Sequence, residues 1–264
     1  MPSVSNIAVG AAMAGAAATK ARHQMNESIA RLSTGIRSMY GGDAAGQSVA
    51  NSLGAKAASF AVAARNAEDG ISFLQSAESL LLELAALTTR LRELGIQYAN
   101  NALLTTTDEA ALNAEAEAIG DAIQNIATNT NFNGTQMIGN ATAISIGIND
   151  QGDTATVGTA QSLAVASTGA ITGANGIDAS ADTALGEIAK SLGNVAAGMT
   201  ALKGYQAAAS ATSANLAAAA ARIQDTDFAL ETAALTKAAI LNQSAMAMVA
   251  QANQAQQAIL TVIQ

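Results

Sequence analysis

The chain of 264 residues has no cysteine and no tryptophan, one proline, one histidine, and only three tyrosines and four phenylalanines. Without cysteine there can be no disulfide and no thiolate metal site, and the chain suits passage through an oxidising compartment, where a thiol would pair. A single histidine, His23, excludes multi-histidine metal sites, HExxH included. Set among Arg22, Gln24 and Asn26, it reads as a solvated or interface residue rather than a general base. The scarcity of rings argues against a thick, interlocking core, which needs large side chains. Half of the residues are hydrophobic, with alanine dominant. Alanine lets helices approach closely, so an elongated bundle is expected rather than a compact enzyme. Basic excess is also missing. A net charge of −8 argues against nucleic acid as a partner and supports solubility.

Catalytic motifs are absent as well. There is no Gx4GK[ST] loop, no GxGxxG after a strand and no GxSxG elbow. Glu115, Glu117 and Asp121 read as a solvated helix face, because calcium would want a ligand-dense loop with a central glycine. The stretch Asn149 to Asp153 has oxygen ligands and a glycine but reads as a turn. No enzymatic activity, cofactor or metal is expected. The apolar run IAVGAAMAGAAA at 7–18 has no Lys or Arg before it, the reverse of a secretory signal, and is too short to span a membrane. It reads as a mature helix, with no membrane partner.

What is present is helical periodicity. The only proline is Pro2, and residues 205–264 contain no glycine, whereas 134–204 hold 12 of the 22. Long helices are therefore expected at both ends, with an irregular middle. Met25, Ile29, Leu32, Ile36 and Met39 recur in steps of four and three, with Glu27 and Arg31 as an i,i+4 pair. That helix is predicted to stop at Gly41-Gly42, with Asp43 capping the next. Leu80, Leu84, Leu87, Leu91, Leu94 and Tyr98 mark a second helix that breaks near Asn100-Asn101. TTTDEAAL then starts a third, capped by Thr or Asp, with Leu112, Ala116, Ile119, Ile123 and Ile126 as its seam. Asn133-Gly134 is the commonest type I′ turn pair. ISIGI (144–148) and TATV (154–157) alternate as a β-hairpin. Residues 158–182 read as an exposed loop, and a helical pattern resumes from about Asp182, pausing near Arg222–Asp227. The last seventeen residues carry no charge. There Leu241, Ala245, Met248, Ala252, Ala255, Ile259 and Val262 form a coiled-coil stripe, which something must cover.

Three blocks near the start, IARLSTGIRSMYGGDAAGQSVAN (29–51), ARNAEDGISFLQSAESLLLEL (64–84) and TRLRELGIQYANN (89–101), resemble the amino-terminal region of bacterial flagellin. FNG (132–134) falls where that family turns after its helices, and residues 215–260 resemble its carboxy-terminal region. The resemblance implies a mainly α fold: a terminal coiled coil lining the filament's inner tube and an antiparallel helical bundle with a small β-hairpin. With only a short loop in the middle, the chain looks like a minimal flagellin. The expected segments are residues 1–40 (inner-tube helix), 41–182 (bundle with hairpin and loop), 183–221 (bundle helix) and 222–264 (inner-tube helix). The implied function is a structural subunit that polymerises into the flagellar filament for swimming. The alternatives are a hook–filament junction protein or a non-flagellar type III secreted coiled-coil protein. The implied partners are further copies of the chain, the flagellar type III export apparatus and an export chaperone, and the filament cap and junction proteins; the implied location is extracellular. Met25, Ile29, Leu32, Ile36, Leu241, Met248, Ile259 and Val262 are the expected assembly interface. Arg90, Leu94 and Glu115 match positions that the family offers to a host toll-like receptor.

Overall fold

The computed structural model describes residues 2–37, 42–138, 144–157 and 177–263, with the backbone alone described at 2–7, 101 and 259–263. Its described elements are α1 (Pro2–Thr34), α2 (Ala44–Tyr98), a 3-10 turn (Asn101–Leu103), α3 (Thr106–Asn129), β1 (Asn131–Phe132), β2 (Thr135–Gln136), β3 (Ile144–Gly147), β4 (Thr154–Val157), α4 (Ile177–Gln224) and α5 (Phe228–Ile263). The fold is mainly α, as the sequence implied, with two small antiparallel hairpins where one was expected. The chain divides into two compact units, Met1–Ala55 with Leu216–Gln264, and Lys56–Asn215. Those divisions fall inside α2 and α4, away from the segment limits at 40, 182 and 221.

In the first unit α1 and α5 pack along their lengths. They run antiparallel: Arg31 meets Glu231, while Gly10 lines a cleft with Met248, Gln251, Ala252 and Ala255. Pro2 opens α1 at a position where its missing N–H costs nothing. The helix ends sooner than predicted. Gly35 takes a φ of 71° and its N–H donates to the Arg31 carbonyl at 2.8 Å, a left-handed stop that only glycine adopts readily. Ile36 is therefore not helical; it forms an antiparallel bridge with Asp225. Met39 and Gly41 lie outside the described residues.

The second unit has a leucine-rich core. Leu74, Leu81, Leu84, Leu91 and Leu94 of α2 are buried with Ala116 and Ile123 of α3, Ile146 and Val157 of the second hairpin, and Ile188, Val195 and Leu202 of α4. By length and composition α2 could cross a bilayer, but its leucine face is spent on this core. Thr105 and Asp108 form a reciprocal capping box at the start of α3. Asn133 and Gly134, with φ of 49° and 80°, make the type I′ connection between β1 and β2. Strands β3 and β4 pair in the register Ile144 with Val157 and Ile146 with Ala155. Their turn is closed by Asn149, whose Oδ1 accepts from the N–H groups of Gln151 and Asp153. Helix α4 starts at Ile177, some five residues before the expected point, and the rest of the expected loop, 158–176, lies outside the described residues.

Candidate assembly surface

The helix pair of the first unit is held by small side chains. On α1 the inward face reads Ala11, Ala14, Ala18, Ala21, Met25, Ser28 and Leu32; on α5 it reads Glu231, Leu235, Ala238, Asn242, Ala245, Val249 and Ala252. Both follow steps of three and four, the spacing of a coiled-coil seam. Alanine and serine at the contact let the two backbones approach closely, at the expense of apolar area.

Two of the expected seam residues on α5 do not lie on it. Leu241 is 47% exposed and Met248 60%. Both sit one helical position before the partly buried residues Asn242 and Val249. On α1, Ile29 is 49% exposed while its neighbour Ser28 is buried. The fully buried seam positions are all small, Ala18, Ala21 and Ser28 on α1 and Ala238 and Ala245 on α5, so the helices meet closely there and Ile29, Leu241 and Met248 lie to the side. Met25 and Leu32 are partly buried on the seam, and Ile36 is partly buried at its end. Ile259 and Val262 belong to α5, but their side chains lie outside the described residues. Val9, Met13, Leu230, Ile240 and Met246 add to the exposed apolar surface of the pair. On α5, Leu230, Leu241 and Met248 share one side at helical spacing, and a single chain leaves that side uncovered.

The end of this helix pair is clasped. The Thr226 N–H donates to the Gly35 carbonyl at 2.9 Å, and the Arg37 N–H donates to the Gln224 carbonyl at 2.8 Å. The Arg37 guanidinium donates twice to the Ile223 carbonyl, at 3.2 and 3.1 Å, and once to Asp43 Oδ2 at 2.8 Å. Asp43 Oδ1 accepts the Gly46 N–H at 2.8 Å, so Asp43 caps α2 as expected. The Gly46 N–H, and then Arg37, hold the Asp43 carboxyl below its ordinary value. Asp227 caps α5 through the N–H groups of Ala229 and Leu230. Sequence reasoning found both caps' neighbourhoods but missed Arg37, because its partner carbonyl is 186 residues away and no local pattern marks it.

In the second unit, Arg90 bonds Glu115 at 2.7 Å and Glu93 at 3.1 Å. Glu115, then Glu93, raises the Arg90 pKa above its ordinary value. Leu94, grouped with Arg90 and Glu115 as a receptor contact, is instead fully buried in the core. At helical spacing it lies one turn beyond Arg90, rotated toward the inward side of α2, where the core covers it. Arg90 and Glu115 are exposed and bridge α2 to α3.

The comparisons with known proteins identify the family. A family model described as the bacterial flagellin N-terminal helical region matches residues 5–143, and one for the flagellin C-terminal helical region matches residues 178–263. A flagellin of Halalkalibacterium halodurans is 32% identical over 253 residues, covering 91% of this chain and 92% of that protein. A flagellin of Bacillus subtilis is 30% identical, covering 88% and 90%. Flagellin FlaB2 of Treponema pallidum is 30% identical, covering 90% and 92%. A crystal structure of Bacillus cereus flagellin aligns with 58% of this chain and 88% of that one, at 26% identity and a TM-score of 0.41. With both terminal helical regions matched in order and near-full-length relatives of the same kind, this chain belongs to the bacterial flagellins, the structural subunits of the flagellar filament.

Proposed function

We propose that the protein assembles with copies of itself through the α1–α5 pair, and that the exposed flank is what neighbouring subunits cover. The observation that carries this reading is the placement of Leu241 and Met248, exposed beside a seam already filled by alanine. A face contacting a different face on the next copy does not close on itself and so builds a helical polymer. Burying a leucine or methionine contributes about 1.5–3 kcal/mol each, and each subunit repeats the contact. The resemblance supplies the finer steps. The chain travels unfolded through the flagellar type III export apparatus, escorted by an export chaperone. It joins the filament outside the cell, beneath the cap protein and beyond the hook–filament junction proteins. The exposed Arg90–Glu115 pair is offered as the residual contact for a host toll-like receptor.

Electron microscopy of purified protein, mixed with sheared filament seeds, tests the central reading. Seeds lengthened into tubes are expected, and a chain lacking residues 241–264 is expected to stay soluble and leave the seeds short. Normal elongation by that truncated chain would overturn the assignment of the surface.

A further inference from the structure

The hairpin β1–β2 lies outside the α1–α5 pair and carries an exposed Asn-Gly pair. Asn133 is exposed, and among the described residues its side-chain amide has no hydrogen-bond partner. The next residue, Gly134, has no side chain to shield its backbone nitrogen, and even a β-carbon there would meet nothing within 4 Å. Asn133 also lines a cleft of about 340 Å³ with Asp69, Asn66, Phe73 and Phe132.

We propose that Asn133 is a self-modification site whose rate is set by opening of the β1–β2 hairpin. The Gly134 backbone nitrogen, losing its proton to water, attacks Asn133 Cγ. The Cγ–N bond of the side-chain amide breaks, ammonia leaves, and a five-membered imide closes. Water then opens either imide carbonyl, yielding aspartate or, by the other bond, isoaspartate with an extra methylene in the main chain. The sum is amide plus water giving acid plus ammonia, and nothing else is needed. Glycine is the following residue that hinders this attack least.

The folded turn restrains the reaction. With φ held at 49°, Asn133 is locked in the left-handed region by the pairing of Phe132 with Thr135. The lock is small: each strand has two residues, and so short a hairpin is marginal without outside packing. That packing comes from the Phe132 ring, edge-on to Phe73 with centroids 5.7 Å apart. Met137 and Gln136 add anchorage, donating to the carbonyls of Thr130 and Ala127 at 3.2 and 3.0 Å. The Phe73–Phe132 contact therefore acts as the guard on Asn133. Once formed, isoaspartate cannot occupy the two-residue turn. Either product adds a negative charge to a cleft that already holds Asp69.

The test is peptide-mapping mass spectrometry of the full chain, incubated at mildly alkaline pH, with isoaspartate counted by isoaspartyl methyltransferase labelling. A synthetic peptide spanning residues 129–138 gives the unguarded rate. The folded protein is expected to convert Asn133 to both products, several-fold more slowly than the peptide. Phe132→Ala is expected to bring the rate close to the peptide's, while Asn133→Gln, which would need a six-membered imide, stays unmodified at that position. Circular dichroism establishes that each variant keeps its helices. An Asn133 that stays intact in the full chain while the peptide reacts, even in Phe132→Ala, would overturn the proposal. So would a wild-type rate equal to that of the peptide, since the hairpin would then guard nothing. The peptide shows that the conditions support the reaction, and the other Asn-Gly pair, 175–176, is read in the same digest.

Discussion

At Gly95 the missing side chain is a packing requirement. A β-carbon there would lie 2.9 Å from the backbone nitrogen of Asp178, in the first turn of α4, and backbone cannot swing aside as a side-chain tip can. Gly54, by contrast, is exposed in the same helix with nothing within 4 Å. The same substitution should therefore have opposite signs. Gly54→Ala is expected to stabilise by about 0.5–1 kcal/mol, through the lower conformational freedom of the unfolded chain. Gly95→Ala is expected to destabilise by about 1–3 kcal/mol from overpacking; thermal melts followed by circular dichroism compare the two. A second residue-scale expectation concerns acid. Asp108 accepts the Thr105 hydroxyl at 2.6 Å and the Thr105 N–H at 3.0 Å, and these bonds hold its pKa below the ordinary 3.8. A lowered folded-state pKa means that its contribution is complete above about pH 3.8 and fades as pH falls through the lower folded value. Amide exchange in the first turn of α3 should accelerate in that acid range, and Asp108→Asn should remove the pH dependence while fraying the turn at every pH.

The helices themselves are largely legible in the sequence. Their interiors lack proline, their caps are Asp43 and Thr105, and Gly152 and Asn133-Gly134 mark turns where φ is positive. Two things were not legible, each for a physical reason. The first is the stop at Gly35: apolar spacing continues through Ile36, so periodicity alone extends the helix over a left-handed glycine. The second is the rotation of the seam. The apolar steps of four and three run through Leu241 and Met248, but the helix pair turns the neighbouring positions Asn242 and Val249 inward, and no local pattern fixes that rotation. Of the site, the burial of Leu94 was legible in its place on the leucine seam of α2, whereas the Arg90–Glu115 pairing was not, because it joins two helices at residues 25 apart in sequence. The antiparallel register has a direct check. With no native cysteine, Gly10→Cys with Ala252→Cys places one thiol pair across a shared cleft. Mild oxidation is expected to close a disulfide within one chain, seen as a faster band on a non-reducing gel, whereas Gly10→Cys with Ala233→Cys is expected to give none. Enlarging the seam should be costly: Ala21→Leu or Ala245→Leu is expected to destabilise the pair by about 1–3 kcal/mol.

At the scale of the whole molecule, the seam and its flank have separable roles. Leu241→Glu with Met248→Glu leaves the alanine seam intact, so the monomer's helical content should be unchanged. The same double variant places charge on the surface that neighbouring copies are proposed to cover, and should abolish seed elongation; polymerisation at the wild-type rate would move the contact elsewhere. Motility of cells carrying only this variant gives the same answer in vivo. A further consequence lies in the antiparallel pairing of α1 with α5. Partners drawn from opposite ends of the chain have nearly the greatest sequence separation available to it, and such contacts form late. A polypeptide emerging in one direction, from a ribosome or through a narrow conduit, presents one of these helices long before the other. Until α5 arrives, α1 has no intramolecular mate along its seam, so a chain still lacking α5 carries a bare alanine face.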